Sequence, residues 1–239
     1  MTLRSMFNTV AEKYDLANKI MSLGLDRIWR EECAKKSTPG NVIVDLCCGT
    51  GDLSYAILKY APPNALLLGL DFNMEMLKGA LKKKQAYHHT KKGAEQEKTS
   101  SPSYILADAA HLPLRRESVD TVSTAFGLRN LTYRNPQAEK HLAELTRILH
   151  KDGRFVCVET SQPNNHLQRI LLHLYFLHYV PLIGWLISKR KEAYQYLGFS
   201  AANFKTAEEV SAMLIASGFR EASFKHLTLG AVALFTATK

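Results

Sequence analysis

The chain has 239 residues, 46% of them apolar, which is enough for one large α/β core. Its formal net charge of +9 suits nucleic acid, an anionic membrane surface or simple solubility. The cysteines, Cys33, Cys47, Cys48 and Cys157, form no C-x-x-C pair, which excludes a zinc ribbon and a disulfide framework and points to a reducing compartment.

Met1 to Asn18 has no apolar core of a secretory leader, because Arg4, Glu12, Lys13 and Asp15 are spread through it, so a cytoplasmic location is expected. Residues 1–38 read as an amphipathic helical segment with Phe7, Val10, Ala11 and Tyr14 on one face. That segment is either a helix packed on a sheet or a lid over a ligand, carrying Tyr14.

The stretch from Val42 to Leu53 reads Val-Ile-Val-Asp-Leu-Cys-Cys-Gly-Thr-Gly-Asp-Leu. An apolar run, an acid, a small-residue turn and the helix-like run Leu53 to Tyr60 make the first βα unit of a nucleotide-binding sheet. Gly49 and Gly51 let the backbone approach a ligand, but the third glycine of a dinucleotide fingerprint is missing. Asp71 closes the next apolar strand, Ala65 to Leu70, and Asp108 follows a third, Tyr104 to Leu106. Acids at the ends of successive strands suit an adenosine without phosphates, which is S-adenosylmethionine. An ordinary βα turn with surface acids is the alternative.

After a helix from Asn73 to Ala80, residues 82–101 are polar and lysine-rich and read as a helix end plus a flexible loop. Aromatic residues are nearly absent from it, which argues against RNA, and His88-His89 has no partner at metal-ligand spacing. A fourth strand, Val119 to Ala125, runs out into Phe126-Gly127-Leu128-Arg129-Asn130. The carboxyl end of a strand in an open α/β sheet faces the ligand crevice, so Arg129 and Asn130 are the candidate catalytic residues.

A helix from Pro136 to Leu149, a turn at Asp152-Gly153 and a fifth strand from Arg154 to Glu159 follow. Residues 164–198 are an apolar helical insertion. Its run from His166 to Ile187 is long enough to raise the question of a membrane span, but His173, His178, Pro181 and Gly184 interrupt it. A pair of helices kinked at Pro181 is expected instead, as a wall around a hydrophobic substrate or as plain core, with Lys189-Arg190-Lys191 as an edge for anionic headgroups. A helix from Ala207 to Ala216 stops at Gly218, and strands at Glu221 to Leu227 and Ala231 to Thr236 complete seven, the last two antiparallel. The expected fold is a single Rossmann-like α/β domain over 1–239 with helical lid segments.

Several stretches resemble the ubiquinone/menaquinone C-methyltransferases, the UbiE/MenG family of class I methyltransferases. They are Phe7-x-x-Val10-Ala11-x-x-Tyr14-Asp15, Asn18 with Met21-Ser22 and Trp29, Asp45 to Leu53, Ala107-Asp108-Ala109-x-x-Leu112-Pro113 and Ala125 to Asn130, then Glu159-x-Ser161-x-Pro163, Pro181-Leu182-Ile183-Gly184, Tyr194-x-Tyr196-Leu197 and Leu227-Thr228-x-Gly230-x-Val232-Ala233. The chain departs from the family pattern at Asp26, where His is usual, and at Asp152, where Gly is usual. The resemblance implies methyl transfer from S-adenosylmethionine to a ring carbon of a polyprenylated hydroquinone, without a metal. It implies that Gly49, Thr50 and Gly51 receive the methionine end, Asp71 the ribose hydroxyls, Asp108 and Ala109 the adenine edge, with Phe72 against the ring. Arg129 would hold a phenolate or orient a water that takes its proton, and Asn130 would share the oxygen. Expected partners are a peripheral membrane surface at the inner face and a homodimer or quinone-synthesis complex. Competing readings are a methyltransferase for another small molecule, a non-catalytic S-adenosylmethionine-binding subunit of such a complex and, less well supported, an RNA methyltransferase.

Overall fold

In the computed structural model, which describes residues 3–38, 40–90 and 101–239, helices α1 (Leu3–Val10), α2 (Tyr14–Met21) and α3 (Leu25–Lys36) precede the first strand, with a 3-10 turn at Ala11–Lys13. Then come β1 (Val42–Leu46), α4 (Asp52–Leu58), β2 (Leu66–Asp71), α5 (Met74–Thr90) and β3 (Ser103–Leu106). They are followed by β4 (Val119–Ala125), α6 (Leu128–Thr132), α7 (Ala138–Ile148) and the long β5 (Leu149–Thr160). The apolar insertion forms α8 (His166–Leu174), a π-helical turn (Tyr175–Tyr179), α9 (Val180–Ser188) and α10 (Lys191–Ala202). The chain ends with α11 (Ala207–Ala216), β6 (Glu221–Leu227) and β7 (Val232–Thr238).

The sheet order is β3-β2-β1-β4-β5-β7-β6. Strands β1 to β5 are parallel, and β7 runs antiparallel between β5 and β6. The order reverses between β1 and β4, and a ligand crevice forms at the carboxyl ends of strands at such a switch point. Both sheet faces are covered, as parallel strands require. Along β5 the side chains alternate: Phe155 and Cys157 join the core under α7 and α11, while Val156 and Val158 join the core under α3 and α4. A third core stands beyond the strand ends, where Met6, Val10 and Met21 of the N-terminal helices meet Phe176, Val180 and Tyr194 of the insertion.

Three elements differ from expectation. Helix α5 does not stop at Ala80; it runs on to Thr90, because Lys83 pairs with Asp15 and Lys84 donates to the Pro102 carbonyl at 2.8 Å. Good helix formers on a solvated face need little else. The rest of the expected loop, 91–100, lies outside the described residues. Asp152-Gly153 is a bulge inside β5, not a turn before it. Val119 pairs with Leu149 while Thr121 pairs with Arg154, and the surplus residues are taken up with Asp152 at φ 66.

The insertion, finally, is one helical run from His166 to Ser188 and is not split at Pro181. Proline has no N–H and its ring crowds the carbonyl one turn back; the widened π turn just before Pro181 takes up that mismatch. The run is long and apolar enough, by length and composition, to cross a membrane. One of its faces packs on the third core, and the other is exposed.

Candidate active site

The turn after β1 is shaped by left-handed residues: Cys47 at φ 57, Gly49 at φ 55 and Gly51 at φ 83. The two glycines do different work. A Cβ on Gly49 would meet no atom within 4 Å, so this backbone stands open to the crevice, whereas a Cβ on Gly51 would lie 2.4 Å from the Tyr104 hydroxyl. Gly51 therefore packs the turn onto β3. The Thr50 hydroxyl donates to Asp15 Oδ1 at 2.6 Å and accepts from Lys83 Nζ at 3.1 Å.

A cavity of about 350 Å³ opens at the ends of β1, β2 and β3. Gly49, Asp71, Phe72, Asp108 and Ala109, all named by the resemblance, line it. Asp71 is buried; its Oδ2 accepts from the Gly49 N–H at 2.9 Å and its Oδ1 from the Asn73 N–H at 2.8 Å. Burial raises its carboxyl above the usual range, and these N–H groups oppose that shift. Asp108 Oδ1 accepts from the Ala110 N–H at 2.9 Å, which fixes the turn after β3. The N-terminal segment roofs this cavity: Phe7 meets Phe72 edge to face at 6.4 Å, and Arg4 Nη2 donates to the Phe72 carbonyl at 2.8 Å.

Beside it lies a small third pocket lined by Asp45, Thr50, Asp52 and Arg30. Asp45 accepts from Ser54 Oγ at 2.5 Å, and its burial pushes its pKa up to about 7. Cys47 and Cys48 are raised by burial as well, so both stay thiols.

A second cavity, about 310 Å³, lies between the N-terminal helices and the insertion. Its walls are apolar: Met6, Val10, Met21, Leu172, Phe176 and Val180. Arg129, Asn130 and Tyr14 give it a polar end. Phe7, Tyr14, Phe126 and Asn130 line both large cavities, so the two spaces share one wall. Tyr14 borders all three spaces, and burial raises its phenol above the ordinary value. Phe126, immediately after β4, sits at φ 60 with the Arg30 guanidinium 5.7 Å from its ring centre and Trp29 edge to face at 5.9 Å. A bulky residue in the left-handed region stores strain, and here it stands on the wall between the cavities.

Arg129 is 2% exposed. Its N–H donates to Glu159 Oε2 at 2.9 Å, its Nε lies 3.7 Å from Glu159 Oε1, and its Nη1 donates to Ser200 Oγ. Glu159 also accepts from the N–H and hydroxyl of Thr160, at 2.8 and 3.0 Å. The guanidinium is thus both the partner of a buried carboxylate and a cavity residue. Asn130 Oδ1 is buried without a hydrogen-bond partner, an acceptor on the shared wall. His226 lies exposed on β6 outside both large cavities, whereas Tyr194 lines the apolar one. Sequence reasoning missed Phe126 and Glu159 as site residues. The Phe-Gly step straight after β4 was the available signal for the first; for Glu159 it was the Glu159-x-Ser161-x-Pro163 stretch at the end of β5.

Comparison with known proteins agrees with this geometry. The model of the ubiE/COQ5 methyltransferase family matches residues 1–239. A demethylmenaquinone methyltransferase of Lactiplantibacillus plantarum is 34% identical over 99% of this chain and 95% of its own. A ubiquinone/menaquinone biosynthesis C-methyltransferase UbiE of Rickettsia typhi is 34% identical over 99% and 92%. A rat mitochondrial 2-methoxy-6-polyprenyl-1,4-benzoquinol methylase is 31% identical over 98% and 78%. Among solved structures, a SAM-dependent methyltransferase from Aquifex aeolicus superposes with a TM-score of 0.63 over 97% of both chains at 14% identity, a likeness of fold.

Proposed function

The chain belongs to the ubiE/COQ5 methyltransferase family, and from that premise we propose that its acceptor is a ring carbon of a polyprenylated hydroquinone, seated in the apolar cavity with its ring against the shared wall. It is an S-adenosylmethionine-dependent C-methyltransferase of menaquinone/ubiquinone biosynthesis. The observation that carries the assignment of the acceptor is the pair of cavities, one half-polar and one apolar, that meet at Phe7, Tyr14, Phe126 and Asn130.

The residues of the first cavity fit the cofactor. Gly49 leaves open space where a side chain would stand, and buried Asp71 presents a carboxylate at the end of β2. We assign Asp71 to the ribose hydroxyls, Asp108 and Ala109 to the adenine edge, Phe72 to its face and Gly49 to the methionine end. Thr50 and Gly51 act there through the turn they hold. When bound, S-adenosylmethionine supplies an electrophilic methyl group on a positively charged sulfur.

The chain's own task is to make a ring carbon nucleophilic. A phenol ionises at about 10 in water, and a nearby fixed cation lowers that value. Arg129 cannot lose its proton, so it serves as the cation and not as the base. Glu159 positions it, and the unpartnered Asn130 Oδ1 is free to accept from the ring hydroxyl. As the hydroxyl proton passes to a water oriented by Arg129 at the polar end of the cavity, electron density moves to the adjacent carbon; once that carbon carries the methyl group it gives its own proton to water in turn, and the ring is aromatic again. The apolar walls exclude water that would compete for the methyl group.

The test is a reconstituted assay with S-adenosylmethionine and reduced short-chain demethylquinols of the menaquinone and ubiquinone types. A product carrying one added methyl on ring carbon supports the assignment. Methylation at oxygen, or no transfer to either quinol, overturns it.

A further inference from the structure

The helical run His166–Ser188 carries two apolar stripes. The inner one, with Leu172, Phe176 and Val180, walls the substrate cavity. The outer one, with Leu167, Leu171, Leu174, Leu182, Trp185 and Leu186, is exposed. A helix apolar on all sides belongs in a core or in lipid, and only one side of this one is covered by protein.

Several features say what covers the other side. The run contains no Asp or Glu, and the exposed cations Lys189, Arg190 and Lys191 follow it directly, opposed by Glu192 alone. The Lys189 ammonium lies 4.9 Å from the Trp185 ring centre, so an aromatic ring and a cation share the end of the stripe. That combination suits the boundary between headgroups and hydrocarbon. The mouth of the cavity is apolar too. Leu23, 80% exposed, lines it, and Leu229, 78% exposed, follows Thr228, whose hydroxyl accepts from Trp29 Nε1 at 2.9 Å on the cavity wall.

We propose that this face docks onto an anionic lipid bilayer, with the outer stripe lying in the interfacial layer and Leu23 and Leu229 seated at the lipid. The helix lies along the surface and does not cross it, because its inner stripe is committed to the third core. The cavity then opens toward hydrocarbon, and a prenyl tail passes between membrane and active site without crossing water. The tail rests on the acceptor assigned above; the docking face does not.

The test uses the full chain and two variants on exposed positions outside the cavity lining: Leu174→Glu with Leu182→Glu, and Lys189→Ser with Arg190→Ser and Lys191→Ser. Flotation is measured with phosphatidylcholine vesicles with and without phosphatidylglycerol, at low and high salt. The unmodified chain is expected to bind the anionic vesicles and to release with salt, and each variant to bind roughly tenfold more weakly. Turnover of a vesicle-embedded long-tail quinol should fall in parallel, while turnover of a water-soluble short-tail hydroquinone stays unchanged. Flotation indifferent to lipid charge and to both variants overturns the proposal. So does absence of flotation together with a dimer that the leucine variant dissociates, since a second copy would then cover the face. Loss of all turnover with short-tail substrate would refute the acceptor assignment, and flotation would still decide the docking face.

Discussion

Thr50 in the glycine turn donates to Asp15 Oδ1 in the N-terminal segment at 2.6 Å, a bond that joins positions 35 residues apart. Lys83 Nζ, 2.7 Å from Asp15 Oδ2, braces the same carboxylate from α5. The roof of the cofactor cavity is thus tied to its floor by polar contacts at the cavity's edge.

Asp15→Ala should loosen that roof. One hydrogen bond contributes about 1 kcal/mol, so cofactor affinity should fall roughly fivefold. Calorimetry would read the affinity, and hydrogen exchange across residues 3–21 should speed up. If neither changes, the segment is not a lid.

Asp71→Asn is the sharper test of the cofactor cavity. The carboxylate accepts from both Gly49 and Asn73, and an amide would turn a donor toward one of them. Affinity for S-adenosylmethionine should weaken by about 1–3 kcal/mol. Unchanged binding by calorimetry would remove Asp71 from the ribose site.

Arg129 has two roles, which a double variant separates. Arg129→Met removes the cation 3.7 Å from buried Glu159, whose carboxylate keeps its hydrogen bonds from the residue 129 N–H and from Thr160, and should cost stability, at most about 3–5 kcal/mol. Adding Glu159→Gln should return much of that stability. If Arg129 acts on the substrate oxygen, turnover stays down on the order of 10²-fold in the double variant, with cofactor affinity little changed. Turnover that recovers together with stability would make Arg129 purely structural.

Asp45 sets a pH dependence. Its pKa is pushed up to about 7 by burial, against about 3.9 in an unfolded chain. Below about pH 4 both states hold the proton and Asp45 contributes nothing to the slope. Between about 4 and 7 the folded chain holds a proton that the unfolded chain has released, so stability falls as pH rises; above 7 the penalty is complete. Asp45→Asn keeps an acceptor for Ser54 and removes the charge. Its melting temperature should exceed that of the parent at pH 8, and the difference should shrink toward pH 4. A difference independent of pH would refute this account.

The strands and their order of use were legible because each is a short apolar run with an acid or a small-residue turn at its end; Asp71 and Asp108 could be placed from that pattern alone. The extent of α5 was hidden because its last turns are held by Lys83 and Lys84 reaching distant partners, and no apolar period marks them. The Arg129–Glu159 pair was hidden for a similar reason, since it forms only when β4 and β5 lie side by side. Thr50 and Gly51 look like ligand residues by position, and only in space does it show that the Thr50 hydroxyl bonds Asp15 and that Gly51 packs against Tyr104. The apolar cavity draws its walls from both ends of the chain, and no local window contains it.

The π turn at Tyr175–Tyr179 has a consequence for length changes in the chain. Each residue of an α-helix advances it by about 100°. A π turn holds one residue more than the α turn it replaces, so losing one residue between Tyr175 and Tyr179 would let that turn close to α and keep Leu182 and Trp185 on the outer stripe and Ile183 on the inner core, whereas a loss beyond Pro181 would rotate everything after it by that angle. Helix α10 is keyed to the same place, since a Cβ on Gly198 would stand 2.0 Å from the Phe176 carbonyl oxygen. An in-frame codon deletion within α9, where no turn holds a spare residue, would act as a frameshift in space: the same side chains in the same order, read out on the wrong faces.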